Sequence, residues 1–157
     1  MAEPVRLLVV CLGNICRSPM AEGILRARIE ASPLRGRALV DSAGTGDWHV
    51  GRPPDPRAIA TAARHGVDIA GLRARQFRRA DAEQFDWLLC ADRDNLADVQ
   101  ARPQPAIVAA VIHAAQDHRI GGAVLFAERG KAVFHRRSGH IKAIDRLKAF
   151  EHEGLRC

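Results

Sequence analysis

The chain contains no tyrosine, and aromatic residues make up only 4% of it. A surface for single-stranded nucleic acid needs aromatic faces on which bases stack, so this scarcity argues against nucleic acid as a partner. Long apolar runs are also missing. The N-terminal "VRLLVVCLG" is too short to cross a membrane and lacks the flanks of a secretory signal, and nothing later approaches twenty apolar residues. A cytoplasmic protein with no membrane partner is expected. The four cysteines, Cys11, Cys16, Cys90 and Cys157, fit neither a zinc-site spacing nor a small disulfide scaffold, so no metal site is expected. Internal repeats are absent. Lysine is absent from residues 1–100: all three lysines, Lys131, Lys142 and Lys148, lie beyond it.

What remains is an ordinary globular composition, 47% hydrophobic and 27% charged over 157 residues, which suits one domain with a proper core. The net charge of +6 is unevenly divided, with +1 on residues 1–100 and +5 on residues 101–157. Five of the seven histidines also fall in the second part. The expected organisation is a single domain, 1–157, in which 101–157 is an atypical basic tail.

The order of elements points to an α/β fold. "VRLLVVC" reads as a buried strand ending at Cys11. Ser18-Pro19 reads as a helix start, with a hydroxyl at the cap and proline in the first turn, followed by a helix with Met20, Ile24, Leu25 and Ile29 on one face. "GRALVDSAG" reads as a second strand, "DPRAIATAARHG" as a helix closed by Gly66, "FDWLLCAD" as a third strand and "RDNLADVQA" as a short helix. Alternating strands and helices imply a parallel sheet covered on both faces. Within the tail, "AIVAAVIHAAQ" is expected to be a helix, "AVLFAERGKAVFH" a hairpin and "IKAIDRLKAFEH" an amphipathic helix.

The segment "VVCLGNICRSPMAEG", residues 9–23, carries the chemistry. Cys11 falls where a parallel strand ends, the position at which such sheets bind ligands. The residues from Leu12 to Arg17 lead into a helix N-terminus. Backbone N–H groups in such a loop converge on an anion, and the helix dipole adds positive potential. Gly13 relieves crowding where backbone meets ligand. The Arg17 guanidinium at the rim suits two oxygens of one phosphate. The same field favours thiolate over thiol at Cys11, and a thiolate at the floor of a phosphate cradle is a nucleophile aimed at phosphorus. Ser18 is placed to donate its hydroxyl to that sulfur, and Asn14 to brace the loop. Two roles are open to Cys16: inert filler, or a partner in a reversible disulfide that protects Cys11 from over-oxidation.

"CLGNICRSP" between an apolar strand and a helix resembles the low-molecular-weight protein tyrosine phosphatases. "DSAGTGDWHVGRPPDPRA" (41–58), "ARQ" (74–76) and "FDWLLCADRDNL" (85–96) resemble later blocks of the same family, so the likeness runs from about residue 6 to about residue 100. The resemblance implies a three-layer fold around a four-stranded parallel sheet and no metal or organic cofactor. It gives Cys11 as nucleophile, Arg17 as phosphate ligand and Ser18 as thiolate stabiliser. The backbone from Leu12 through Gly13, Asn14, Ile15 and Cys16 to Arg17 would hold the phosphate. Asn14 and Ser42 would support the loop, and Ile15 and Trp48 would line the slot for an aryl ring. Ile15 is the residue of phosphotyrosine-directed members, where the arginine-phosphatase branch carries threonine. The implied partners are a phosphotyrosine protein or small aryl phosphate, with inorganic phosphate or another oxyanion in the loop.

The last third departs from the family pattern. The family takes its general acid from an aspartate in a "DPYY"-like loop, and this chain has no such motif. Asp55-Pro56 belongs to the earlier block and is not a substitute. Asp117, Glu128 and Asp145 are the acidic residues left to consider, with Glu128 first on its hairpin position. Without a positioned acid, activity would be weak and confined to good leaving groups. Two other functions compete: a phosphate-binding or regulatory protein without turnover, and, more remotely, arsenate reduction, for which Cys90 stands alone in its segment.

Overall fold

A computed structural model describes residues 3–102 of the chain, together with the backbones of two further strands at 109–113 and 126–128. The expected amphipathic helix at 141–152 lies outside the described residues.

Strand β1 (Val5–Cys11) runs through the middle of the sheet, and its side chains alternate between two cores. Leu8 and Val10 enter one core with Ala43, Phe77, Leu88, Cys90 and Val99. Leu7 and Val9 enter the other with Val40 and Leu89. A strand buried on both faces needs apolar residues at every position, which is why "LLVVC" shows no alternation. β2 (Ala38–Gly44) pairs in parallel with one edge of β1, and β3 (Trp87–Cys90) with the other. The order reverses at β1, so a crevice opens beside its carboxyl end, where Cys11 sits.

Helix α1 (Arg17–Glu30) packs Ala21, Leu25 and Ile29 on the Leu7/Val9 face. Met20 turns instead to α2 (Pro56–Arg64), joining Ala58, Ala62 and Ile69 in a third cluster. The single stripe expected for Met20, Ile24, Leu25 and Ile29 is thus divided between two partners. α2 begins as expected: Asp55 caps it by accepting from the Arg57 N–H at 2.8 Å, and Gly66 closes the turn after it at φ +72°. α3 (Arg79–Gln84) begins at the last residue of the basic run "RARQFRR", 73–79. α4 (Arg93–Gln100) is capped by Asp92. Ala82 of α3 and Val99 of α4 cover the Leu8/Val10 face, completing three layers.

One expectation changes in the tail. Residues Ala109–His113 form a strand, β4, paired in parallel with β3, where a helix was expected. A short Ala/Val/Ile run is ambiguous by periodicity, and the vacant edge of β3 decides it. β5 (Phe126–Glu128) then pairs antiparallel with β4, Val111 opposite Glu128. The sheet is therefore β2-β1-β3-β4-β5, four parallel strands as expected plus an antiparallel strand from the first arm of the expected hairpin, whose remaining residues lie outside the described ones.

Candidate active site

The loop between β1 and α1 opens with Cys11 and closes with Ser18. Asn14 sits at its apex in the left-handed region, φ 54°, a conformation asparagine tolerates better than most residues. Its N–H donates to Cys11 Sγ at 3.3 Å. The N–H groups of Gly13, Ile15 and Cys16 donate to no other group among the described residues, which leaves them for an anion.

Hydrogen bonds around Asn14 fix which way every proton points. The Arg75 N–H donates to Asn14 Oδ1 at 2.9 Å, so the amide nitrogen must face the other way. That nitrogen donates to Ser18 Oγ and to Ser42 Oγ, both at 2.8 Å. Ser42 in turn donates to Glu22 Oε2 at 2.5 Å. With Ser18 Oγ accepting from Asn14, its own proton is free for Cys11 Sγ, 3.0 Å away. The chain of donors therefore ends on the sulfur, where it supports a negative charge. Ser18 was expected at the helix cap. It lies inside the first turn, fully buried, and the cap residue is Cys16 with no side-chain cap bond.

Glu22 is the part of this network that sequence reasoning missed. It is 2% exposed on α1. Burial pushes its carboxyl above the usual range, opposed by the Ser42 hydrogen bond and by Arg26. Arg26 Nη2 lies 2.6 Å from Oε1 as a charge contact without an aligned hydrogen bond. The signal available in sequence was an acidic residue four before an arginine on the helix, which reads equally well as a surface pair. Arg75 was also missed as a structural group. It sits in the "RARQFRR" run, yet it bridges Asp41 at 2.8 Å and Asp81 at 3.0 Å, and it is half-buried.

The loop is braced against β2 and the turn beyond it. Thr45 N–H donates to Cys11 O and Gly46 N–H to Leu12 O, both at 2.8 Å, and Asp55 N–H to Ile15 O at 2.7 Å. A Cβ on Gly44 would stand 2.8 Å from Leu12 O and 3.1 Å from Asn14 N, so only glycine lets strand and loop approach this closely.

At the rim, Arg17 pairs with Asp92 through Nη1 and Oδ2. Burial raises the Asp92 carboxyl, but the Asn95 amide and Arg17 outweigh it and hold the group below its ordinary value. Trp48 is 58% exposed with its indole over Gly46, and Leu12 and Val50 are exposed beside the loop in sequence or on the adjoining turn. Cys11 and Cys16 are both free thiols, Cys11 buried and Cys16 half-buried. Burial, then Asp55, raises the Cys16 thiol. Cys90 is a core residue whose thiol is pushed up to about 12 by burial and Asp92. Asp55 is held at about 2 by Arg57, first through its side chain and then its backbone. Among the described residues no cluster of three or more acidic, histidine or cysteine side chains could hold a metal ion, and no helix is long and apolar enough to cross a membrane.

Asp117 and Asp145 lie outside the described residues. Glu128 shares a row across the sheet with Val111, Cys90 and Val10. That row puts its backbone three strand spacings from Val10, roughly 14 Å.

A cysteine under convergent donors, with an arginine six residues on and a helix N-terminus behind it, defines the class of α/β proteins that hold phosphate over a thiol nucleophile. The family model for "Low molecular weight phosphotyrosine protein phosphatase" matches residues 6–114, and the chain belongs to that family. Among similar proteins is the low molecular weight phosphotyrosine protein phosphatase of Sus scrofa, 43% identical over 104 residues. Another is the protein-tyrosine-phosphatase YfkJ of Bacillus subtilis, 40% identical over 97 residues. These matches span 65% of this chain and of the pig protein, and 62% of this chain and of YfkJ. The crystal structure of YfkJ superposes with a TM-score of 0.68 at 33% identity, covering 76% of this chain and 77% of that one.

Proposed function

We propose that the chain hydrolyses phosphotyrosine and related aryl phosphomonoesters in two steps. The observation that carries this is the donor chain ending on Cys11 Sγ, with the Ser18 hydroxyl at 3.0 Å and the Asn14 N–H at 3.3 Å. The thiolate attacks phosphorus opposite the leaving oxygen. An S–P bond forms, the P–O bond to the alcohol breaks, and its electron pair leaves with that oxygen. Water then attacks the phosphocysteine, the S–P bond breaks, and the thiolate returns as inorganic phosphate departs. Free loop N–H groups and Arg17 hold the equatorial oxygens through both steps, so catalysis is by preorganised electrostatics. Ser18 stabilises the sulfur each time it carries charge. Ile15, Leu12 and Trp48 offer apolar surface to an aryl ring, which favours phosphotyrosine over aliphatic esters. No metal or organic cofactor enters this chemistry.

The test is Cys11→Ser. Turnover should vanish while vanadate and phosphate still bind, because the cradle is backbone and Arg17. Wild-type turnover in that variant would exclude the mechanism. A second reading, a phosphate-binding member without turnover, is favoured by the missing "DPYY"-like loop and the absence of tyrosine. Rapid-quench capture of phosphorus-labelled Cys11 separates the two, since a binder forms no covalent intermediate.

A further inference from the structure

A phenolate is a poor leaving group, and this chain lacks the family's usual proton source. The acids near the cradle do not replace it. Asp55 caps α2 and is held at about 2 by Arg57, so it carries no proton to give. Asp92 caps α4 and is paired with Arg17. Among the described residues, His49 offers a further protic side chain against the loop. His49 is half-buried, and its Cδ2 and Nε2 atoms stand 3.0 and 3.7 Å from where a Cβ on Gly13 would be. Ile15 Cγ1 lies 3.7 Å from the same point, so the imidazole and Ile15 both border Gly13. A side chain at Gly13 would crowd the imidazole, which would have to give way by a few tenths of an ångström.

The ring is held in place yet chemically free. His49 lies in a turn tied to the cradle by the Gly46–Leu12 bond, and its own carbonyl accepts from Arg52 N–H at 2.9 Å. Gly51 N–H and Arg52 O bond back to Ala74 at 2.8 Å each. The Trp48 indole lies at a centroid distance of 5.9 Å from the ring, tilted by 60°. Neither imidazole nitrogen makes a hydrogen bond among the described residues. Asp47, two residues before it on the same turn, is exposed.

We propose that His49 is the proton donor to the leaving oxygen in this chain. This rests on the phosphatase reading above. In the first step the imidazolium gives its Nε2 proton to the aryl oxygen as the P–O bond breaks. In the second, the neutral imidazole takes a proton from the attacking water as the S–P bond breaks, which restores the imidazolium and the thiolate. Imidazole is suited to both directions near neutral pH.

The experiment is a series of aryl phosphates of rising leaving-group pKa, measured as kcat/KM on the full chain. Wild type, His49→Gln and, as a control on the same turn, Asp47→Asn are compared. Wild type and Asp47→Asn should give a shallow dependence. In kcat/KM, which reports the first step, His49→Gln should lose least on nitrophenyl phosphate and fall by about 10²–10⁴ on phenyl phosphate and phosphotyrosine, the usual effect of losing a general acid. Vanadate affinity should be unchanged, which a merely structural role would not allow. For His49→Ala, added imidazole should restore part of the rate on phenyl phosphate and none on nitrophenyl phosphate. Equal slopes in an active wild type and His49→Gln overturn the role of His49 alone. Failure of wild type to turn over any of these esters while binding vanadate overturns the phosphatase reading and this proposal with it.

Discussion

The backbone N–H of Arg75 donates a 2.9 Å hydrogen bond to Oδ1 of Asn14, 61 residues earlier in the chain. That bond settles the orientation of the Asn14 amide, and hence the direction in which protons point from Ser42 and Ser18. Asn14→Ala should leave the Arg75 N–H and two serine hydroxyls without their partner. A loss of about 1–3 kcal/mol in stability is expected from one such buried vacancy. Turnover should fall about a hundredfold as the loop loses its geometry. Thermal denaturation and steady-state kinetics check the two effects, and an unchanged melting temperature would show that the amide is not structural.

Glu22 gives a prediction with a definite sign. Its folded carboxyl is raised above the ordinary value, chiefly by burial. The folded state therefore holds the proton more tightly than the unfolded chain, so this group's contribution falls as pH rises from the ordinary carboxyl range through the raised value. Glu22→Gln keeps an acceptor for Ser42 and removes the buried charge. The difference in melting temperature, variant minus wild type, should be more positive at pH 7 than at pH 4. A difference that moves the other way would mean that Arg26 outweighs burial.

Asp55 moves in the opposite direction. Held at about 2 by Arg57, it favours the folded state above the ordinary aspartate range, and that advantage fades as pH falls toward its own value. Asp55→Asn should lack this acid-side dependence in a melting-temperature profile between about pH 4 and pH 2. The same variant should keep the wild-type leaving-group slope, because a carboxylate ionised throughout donates no proton. A steeper slope would make Asp55 an acid after all.

Gly44→Ala tests the contact between strand and loop. The added methyl would meet Leu12 O at 2.8 Å and Asn14 N at 3.1 Å, both backbone atoms with little room to move. Weaker vanadate binding and a rate about a hundredfold lower are expected from a displaced cradle. Wild-type kinetics in this variant would show that the loop adapts.

Cys11 and Cys16 bracket the loop as free thiols. Peroxide should convert Cys11 to a sulfenic acid, which the Cys16 thiol attacks with loss of water to give a disulfide. Inactivation by mild peroxide should therefore be reversed by dithiothreitol, and Cys16→Ser should make it harder to reverse. Mass mapping that finds no Cys11–Cys16 link in the oxidised protein would end the idea.

Much of the site could be read in sequence because its residues are local. Cys11, Asn14, Arg17 and Ser18 fall within one turn of chain, and strand, loop and helix each carry a local signal. Legibility stopped where partners come from far away. Glu22 and Arg75 look like surface charges in a string, and only the fold shows that one meets Ser42 and the other meets Asn14, Asp41 and Asp81. His49 was passed over for the same reason, since its closeness to Gly13 spans two separate loops. β4 was misread because its strand character is conferred by the open edge of β3 rather than by its own residues.

The long reach of the Arg75–Asn14 bond also bears on when the cradle comes into being. β1, the loop and α1 are contiguous and can form early, with Asn14 at φ 54° bonded locally to Cys11 Sγ and Ser18 Oγ but with its Oδ1 still unheld. Its capture waits until the chain has laid down β2 and returned past α2 to residue 75, a closure of low probability until the sheet exists. Regain of vanadate binding during refolding should accordingly lag the regain of helical signal. The nucleophile would then acquire its reactivity only in a molecule that is already assembled, which guards a growing or damaged chain against premature thiol chemistry.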